Sequence, residues 1–130
     1  MATYLGTTIN ESPTISLKAG ADIQKAQGKA VIISGGYAVP ATAGANAIGI
    51  IPLSADEEIK KGSDVTVQVK DIGAWVAGEK IVAGDELTSD ANGFAAKAVT
   101  GNFITAVALT AAAEAGTIIR VQLIKAGYKA

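Results

Sequence analysis

The chain has 130 residues, enough for one domain with a core of its own, and carries 11 basic against 12 acidic residues. It contains neither Cys nor His, which excludes disulfides, thiolate and Ser–His nucleophiles, and the usual zinc and iron–sulfur ligand sets. Arg120 is the only arginine and no basic stripe occurs, so the chain is not built to neutralise nucleic-acid phosphates. No apolar run approaches the ~20 residues of a membrane span, and residues 1–13 lack the basic start and apolar stretch of a secretory signal.

In chain order, "MATYLGTTINESP" (1–13) reads as an extended arm, with Tyr4, Leu5 and Ile9 apolar enough to anchor on a neighbour. A single β-rich domain is expected over 14–130. The segment "TISLKA" (14–19) predicts a first strand, and "KAVIIS" (29–34), "AIGIIPL" (47–53), "EKIVA" (79–83) and "NFITAVALT" (102–110) predict short β-branched strands. In "SDVTVQVKDIG", Val65, Val67 and Val69 alternate with Thr66, Gln68 and Lys70, which gives one apolar and one polar face. "TIIRVQLIKAG" repeats the alternation with Ile119, Val121 and Leu123. Helix is confined to one or two turns, at "SADEEIKKG", where Ser54 is a capping residue and Gly62 a stop, and at "TAAAEAG". The chain is therefore expected to be all-β, a small barrel or sandwich.

Residues 28–69 and 84–123 echo each other. Each runs through a Gly, a short strand, a Gly turn, an Ala-rich return, an apolar strand, another Gly and an alternating strand. The register places "VQV" (67–69) on "VQL" (121–123), Gly36 on Gly93 and Gly62 on Gly116.

Candidate chemistry is sparse. "DELTSDANG" holds carboxylates and an amide, but from Asp85 or Asp90 it lacks the alternating oxygen ligands and terminal acid of a calcium loop. Asn92-Gly93 instead predicts the two positive-φ residues of a type I′ hairpin, with Asp90 bonding nearby amides. Asp56, Glu57 and Glu58 are adjacent in sequence, whereas acid–base catalysis wants carboxylates that converge from separate elements. "SGGY" and "AGANAIG" lack phosphate-loop spacing. No Lys sits at the "DANG" tip, as a lipoate or biotin carrier would require. Trp75, the lone Trp, is expected in the core with its indole N–H bonded, or else at an interface. No catalytic, cofactor or metal residue is assigned.

Taken together and in order, "AGDELTSDANGFAAKA", "AVALTAAAEAGTIIRVQL" and the earlier "GGYAVPATAGANAIGIIPLSADEEIKKGSDVTVQVKDIGAWV" resemble the capsid cement, or head decoration, proteins of tailed bacteriophages. The resemblance covers most of residues 14–124; residues 1–13 do not match, and an acidic Gly-Asp near the first strand is missing. It implies a non-enzymatic protein on the outer surface of the virion capsid, made in the host cytoplasm. It further implies a homo-oligomer, most often a trimer, whose partner is the major capsid protein and which bridges capsid subunits. Tyr4, Leu5, Ile9 and Trp75 are then the expected capsid or oligomer contacts. The alternative is a β-rich adhesion or fibre-base module that binds a host glycan or another virion protein.

Overall fold

The computed structural model describes residues 10–130. Its elements are β1 (Thr14–Lys18), β2 (Ile23–Gln24), β3 (Ala30–Ser34), β4 (Tyr37–Pro40), β5 (Gly49–Ile50), β6 (Glu58–Ile59) and β7 (Asp64–Gln68), then β8 (Asp71–Val76), β9 (Glu86–Ser89), β10 (Ala95–Lys97), β11 (Phe103–Ala108) and β12 (Ile118–Tyr128). One five-stranded sheet has the order β1-β7-β5-β3-β4 and the other β8-β12-β11-β9-β10; β2 and β6 form a separate pair. All strand pairings are antiparallel, and the arrangement is sandwich-like rather than a closed barrel.

The two sheets have the same connectivity, so the internal echo is a true structural repeat. The Ile50↔Gln68 pair of the first half corresponds to Val107↔Gln122 in the second, the register expected from "VQV" and "VQL". The repeat also extends further upstream than the sequence suggested, because β1 corresponds to β8. In each half a parallel bridge brings the sheet edges together, Ala19↔Ala38 and Ala77↔Ala95. The β2–β6 pair Ile23↔Ile59 reappears as the isolated bridge Ile81↔Ala112.

Burial follows the repeat. Ala19, Ile23, Val31, Ala38, Ile59, Val65 and Val67 are buried in one half, and Ala77, Ile81, Leu87, Ala95, Ala112, Ile119 and Val121 at the equivalent places in the other. Small alanines at the bridges let the edge strands touch at a single point, while the β-branched residues fill the space between. Thr88 and Thr105, where the first half has Ile32 and Ile48, are buried with hydroxyls that find no partner.

The halves are joined by hydrogen bonds rather than by apolar contact alone. Ala30 N donates to Gly93 O (2.8 Å), Val76 N to Gly28 O (3.0 Å) and Gly44 N to Ser89 O (2.9 Å). Lys125 Nζ donates to Ala47 O (2.7 Å) and Asn46 Oδ1 (2.8 Å), and burial lowers its pKa.

Three local expectations are corrected. No helix forms among residues 10–130: "SADEEIKKG" becomes turns plus β6, and "TAAAEAG" becomes turns around the Ala112 bridge. A segment this short gains little from helical hydrogen bonds, and pairing of Ile59 with Ile23 buries its one large apolar residue. "EKIVA" contributes only Ile81, because Val82 N turns to the Asp85 carboxylate (2.9 Å). The run "SDVTVQVKDIG" breaks into β7 and β8: Asp71 adopts φ 70°, and the Gln68 side-chain amide donates to Lys70 O (2.8 Å) and Ile72 O (3.0 Å) across the break.

Candidate capsid-binding surface

Tyr4, Leu5 and Ile9 lie outside the described residues. The chain just after them is fastened to β8. The Asp71 carboxylate accepts from Glu11 N (2.8 Å) and Ser12 N (3.1 Å), and Asn10 Oδ1 accepts from Ile72 N (3.0 Å). Residues 10–12 are therefore held at the outer edge of the second sheet.

Trp75 takes the core position. It is fully buried, and its Nε1 donates to Gly93 O at 3.0 Å, so the Gly93 carbonyl serves both Trp75 and Ala30. The turn that carries Gly93 is a structural corner, though not a type I′ hairpin. Asp90 Oδ1 accepts from Asn92 N (2.8 Å) and Phe94 N (3.0 Å), and of the turn residues only Gly93 has positive φ, 84°. The carboxylate supplies the closure that a second left-handed residue would otherwise provide. The two-residue hairpin occurs instead at the equivalent corner, where Gly35 and Gly36 (φ 60° and 87°) join Ser34 to Tyr37. Among the described residues, no three Asp or Glu side chains stand together closely enough to hold a metal ion.

Two concave surfaces of the described residues are related by the repeat. The larger, about 530 Å³, has Ala77, Gly78, Phe94, Ala115 and Gly116 in its lining; the smaller, about 410 Å³, is lined by Ala19, Gly20, Tyr37, Lys61 and Gly62. Each residue of the second set is the structural counterpart of one in the first. The main-chain scaffolding is duplicated as well. Gly20 N donates to Ala38 O (2.9 Å) as Gly78 N does to Ala95 O (2.8 Å), and Gly62 N to Ala19 O as Gly116 N to Ala77 O, both at 2.8 Å.

In each cleft an aromatic residue lies against a glycine. A Cβ on Gly20 would come within 2.8 Å of Tyr37 Cβ, and one on Gly78 within 3.2 Å of Phe94 Cβ. At Gly20 the missing Cβ is thus what lets Tyr37 close down on the main chain; at Gly78 it makes room first for the Asp90 carboxylate, which is nearer still, and then for Phe94.

The clefts differ at their rims. The larger adds Lys25, Glu57 and Asp90 as mixed charges, and Val76 continues it into an exposed apolar strip with Leu53 (40% exposed) and Ile118 (55%), which lies opposite Val76 across the β8–β12 ladder. Beneath this rim, Lys29 is largely buried with its Nζ bonded to Gln24 O (2.6 Å) and 5.2 Å from the Phe94 ring centre. Burial, reinforced by Lys25, lowers its pKa, and Asp90 offsets part of that effect.

Sequence inspection missed these clefts because it began the repeat too late. The signal was present: "AGADI" (19–23) and "AGEKI" (77–81) share the alanine and the glycine that line both clefts, and a buried isoleucine.

A family model for phage cement proteins matches residues 9–123. The chain belongs to the phage cement protein family. It is therefore a structural protein of a phage virion that acts at the capsid. Among solved structures, the crystal structure of the head fiber gp8.5 N base of bacteriophage phi29 is similar in fold, with a TM-score of 0.66 at 15% identity over 91% of this chain and 98% of that one. No curated protein matches the chain.

Proposed function

We propose that this cement protein is a non-enzymatic clamp on the outer surface of a phage head, which binds the major capsid protein and bridges neighbouring subunits. The observation that carries the reading is the duplicated cleft. A shell presents the same segment on every subunit, and one chain with two like clefts can hold two subunits at once. The second contact is then intramolecular, so the pair binds far more tightly than either alone. No titratable catalytic constellation is needed for that task.

Residues 2–9, with Tyr4, Leu5 and Ile9, supply a further capsid contact from the edge of β8, where an added segment of chain has a tethered start. Trp75 serves the surface indirectly, by holding the corner that bears Asn92 and Phe94. The protein is made in the host cytoplasm and assembles as a homo-oligomer, a trimer being the form the family resemblance favours.

Co-sedimentation with undecorated, expanded heads tests this reading. The full chain is expected to bind saturably in a fixed ratio to the major capsid protein, and a chain lacking residues 2–9 to bind more weakly. Absence of binding to any head form would refute it. The likeness to a head fiber base favours one other reading, a fibre-base module, which would occupy only a sparse subset of lattice positions.

A further inference from the structure

The Asn92-Gly93 pair holds a reaction that a structural corner leaves unused. Because glycine has no side chain to shield its amide, the Gly93 nitrogen has open access to the Asn92 side-chain carbonyl carbon. In that reaction the Gly93 nitrogen bonds to Asn92 Cγ and gives up its proton, the Cγ–Nδ2 bond breaks, and ammonia leaves a five-membered succinimide. Water then opens the ring. Opening at Cγ gives an ordinary aspartyl linkage; opening at the main-chain carbonyl gives an isoaspartyl linkage, with one extra atom in the backbone.

The fold exposes the Asn92 side chain but pins the main chain on both sides of the reacting peptide. Asp90 Oδ1 holds Asn92 N and Phe94 N, and Gly93 N itself points to Asp90 O at 3.3 Å. The Gly93 carbonyl is held by Ala30 N and Trp75 Nε1. Lys29 crowds the Gly93 Cα so closely that a Cβ there would lie 2.7 Å from Lys29 Cγ. Turning the Asn92–Gly93 peptide into the ring-closing orientation breaks this set.

We propose that Asn92 is a spontaneous deamidation site guarded by the Asp90 carboxylate, and that its conversion to isoaspartate detaches the Gly93 carbonyl from Ala30 and Trp75. The added backbone atom lies in the residue just before Gly93, whose carbonyl joins the two halves. Two buried donors then lose their acceptor, so the change acts as a clock on a virion protein that is not replaced after assembly.

The test incubates the purified full chain at mildly alkaline pH, native and in denaturant, and follows residue 92 by peptide mass mapping that separates aspartyl from isoaspartyl products. The unfolded chain is expected to react at least about tenfold faster, since hydrogen bonds to a carboxylate must first be broken in the native state. Asp90→Ala is expected to bring the native rate toward the unfolded one, with Trp75 emission reporting that the variant is folded. If it does not fold, Asp90→Asn, which keeps one acceptor oxygen, is expected to give an intermediate rate.

The isoaspartyl fraction is expected to show red-shifted Trp75 emission and a lower melting temperature, whereas Asn92→Asp retains both wild-type values. Equal rates in the two states, no reaction in either, no acceleration on loss of the Asp90 carboxylate, or an isoaspartyl fraction with native emission and melting would each overturn the proposal.

Discussion

Trp75 is the most informative residue to remove, because it does two separable things. It fills a fully buried space in the second half, and its indole N–H is one of two donors on the Gly93 carbonyl. Its counterpart in the first half is Leu17, so the second half devotes its largest side chain to a place where the first uses a partly buried aliphatic one. Trp75→Ala deletes both contributions and is expected to cost about 3–5 kcal/mol, the range for large aromatic truncation in a packed core. At about 4 °C per kcal/mol for a domain of this size, the melting temperature should fall by about 12–20 °C.

Trp75→Phe isolates the N–H. Gly93 O keeps its bond from Ala30, so the loss is about 1 kcal/mol for the hydrogen bond plus about 1 kcal/mol for the missing ring volume. Denaturant unfolding followed by far-UV circular dichroism reads both variants, since tryptophan fluorescence is lost with the residue. A Trp75→Ala protein that unfolds within 1 kcal/mol of wild type would refute the assignment of Trp75 to the core, and equal losses for the two variants would refute the division into packing and hydrogen bond.

Gly93→Ala is expected to destabilise by more than about 2 kcal/mol, because positive φ adds to a clash with Lys29 and Ala30 O, whereas Gly101→Ala, at a similar φ with open space, should cost only about 1 kcal/mol; paired melts distinguish the two. Thr88→Val and Thr105→Val are expected to be neutral or stabilising by up to about 1 kcal/mol, since each removes a buried hydroxyl without a partner from a place where the first half uses isoleucine; a loss of more than that in denaturant melts would mean the hydroxyls are bonded. Lys29 is held below the ordinary lysine value of 10.5, so just below that value the unfolded chain binds the proton more tightly and stability should rise with pH; in urea melts across the alkaline range Lys29→Met should show a smaller rise, leaving the share that Lys125 contributes in the same direction. Breaking the exposed Lys18–Asp64 pair (2.8 Å) with Lys18→Ala should change stability by less than about 0.5 kcal/mol at physiological salt.

Much of this architecture was readable where a residue's own chemistry decides its place. Alternation in 65–69 and 117–123 marked two strands that bury one face, and the shared "VQ" fixed the register between halves. The expected short helix at 54–62 failed because Ser54 and Gly62 are helix signals only when the intervening turn is free to coil, and here Ile59 is committed to Ile23. The Asn92-Gly93 corner was placed correctly but given the wrong geometry, because the Asp90 carboxylate closes the turn through bonds to residues two and four positions on. The clefts were hidden for a different reason. Gly20 and Tyr37 are seventeen positions apart and Gly78 and Phe94 sixteen, and each pair meets only where the edge strands touch at the alanine bridges.

If the protein bridges capsid subunits through its two clefts, both must be filled for the shell to be strengthened. The most direct test heats expanded heads saturated with wild-type protein, with Tyr37→Ala, with Phe94→Ala or with the double variant, and records the temperature at which the shell comes apart. Wild type should raise that temperature; either single variant should still bind but give most of the increase away, and the double variant should bind weakly and give none. Full stabilisation by a chain with one cleft stripped would contradict the bridge.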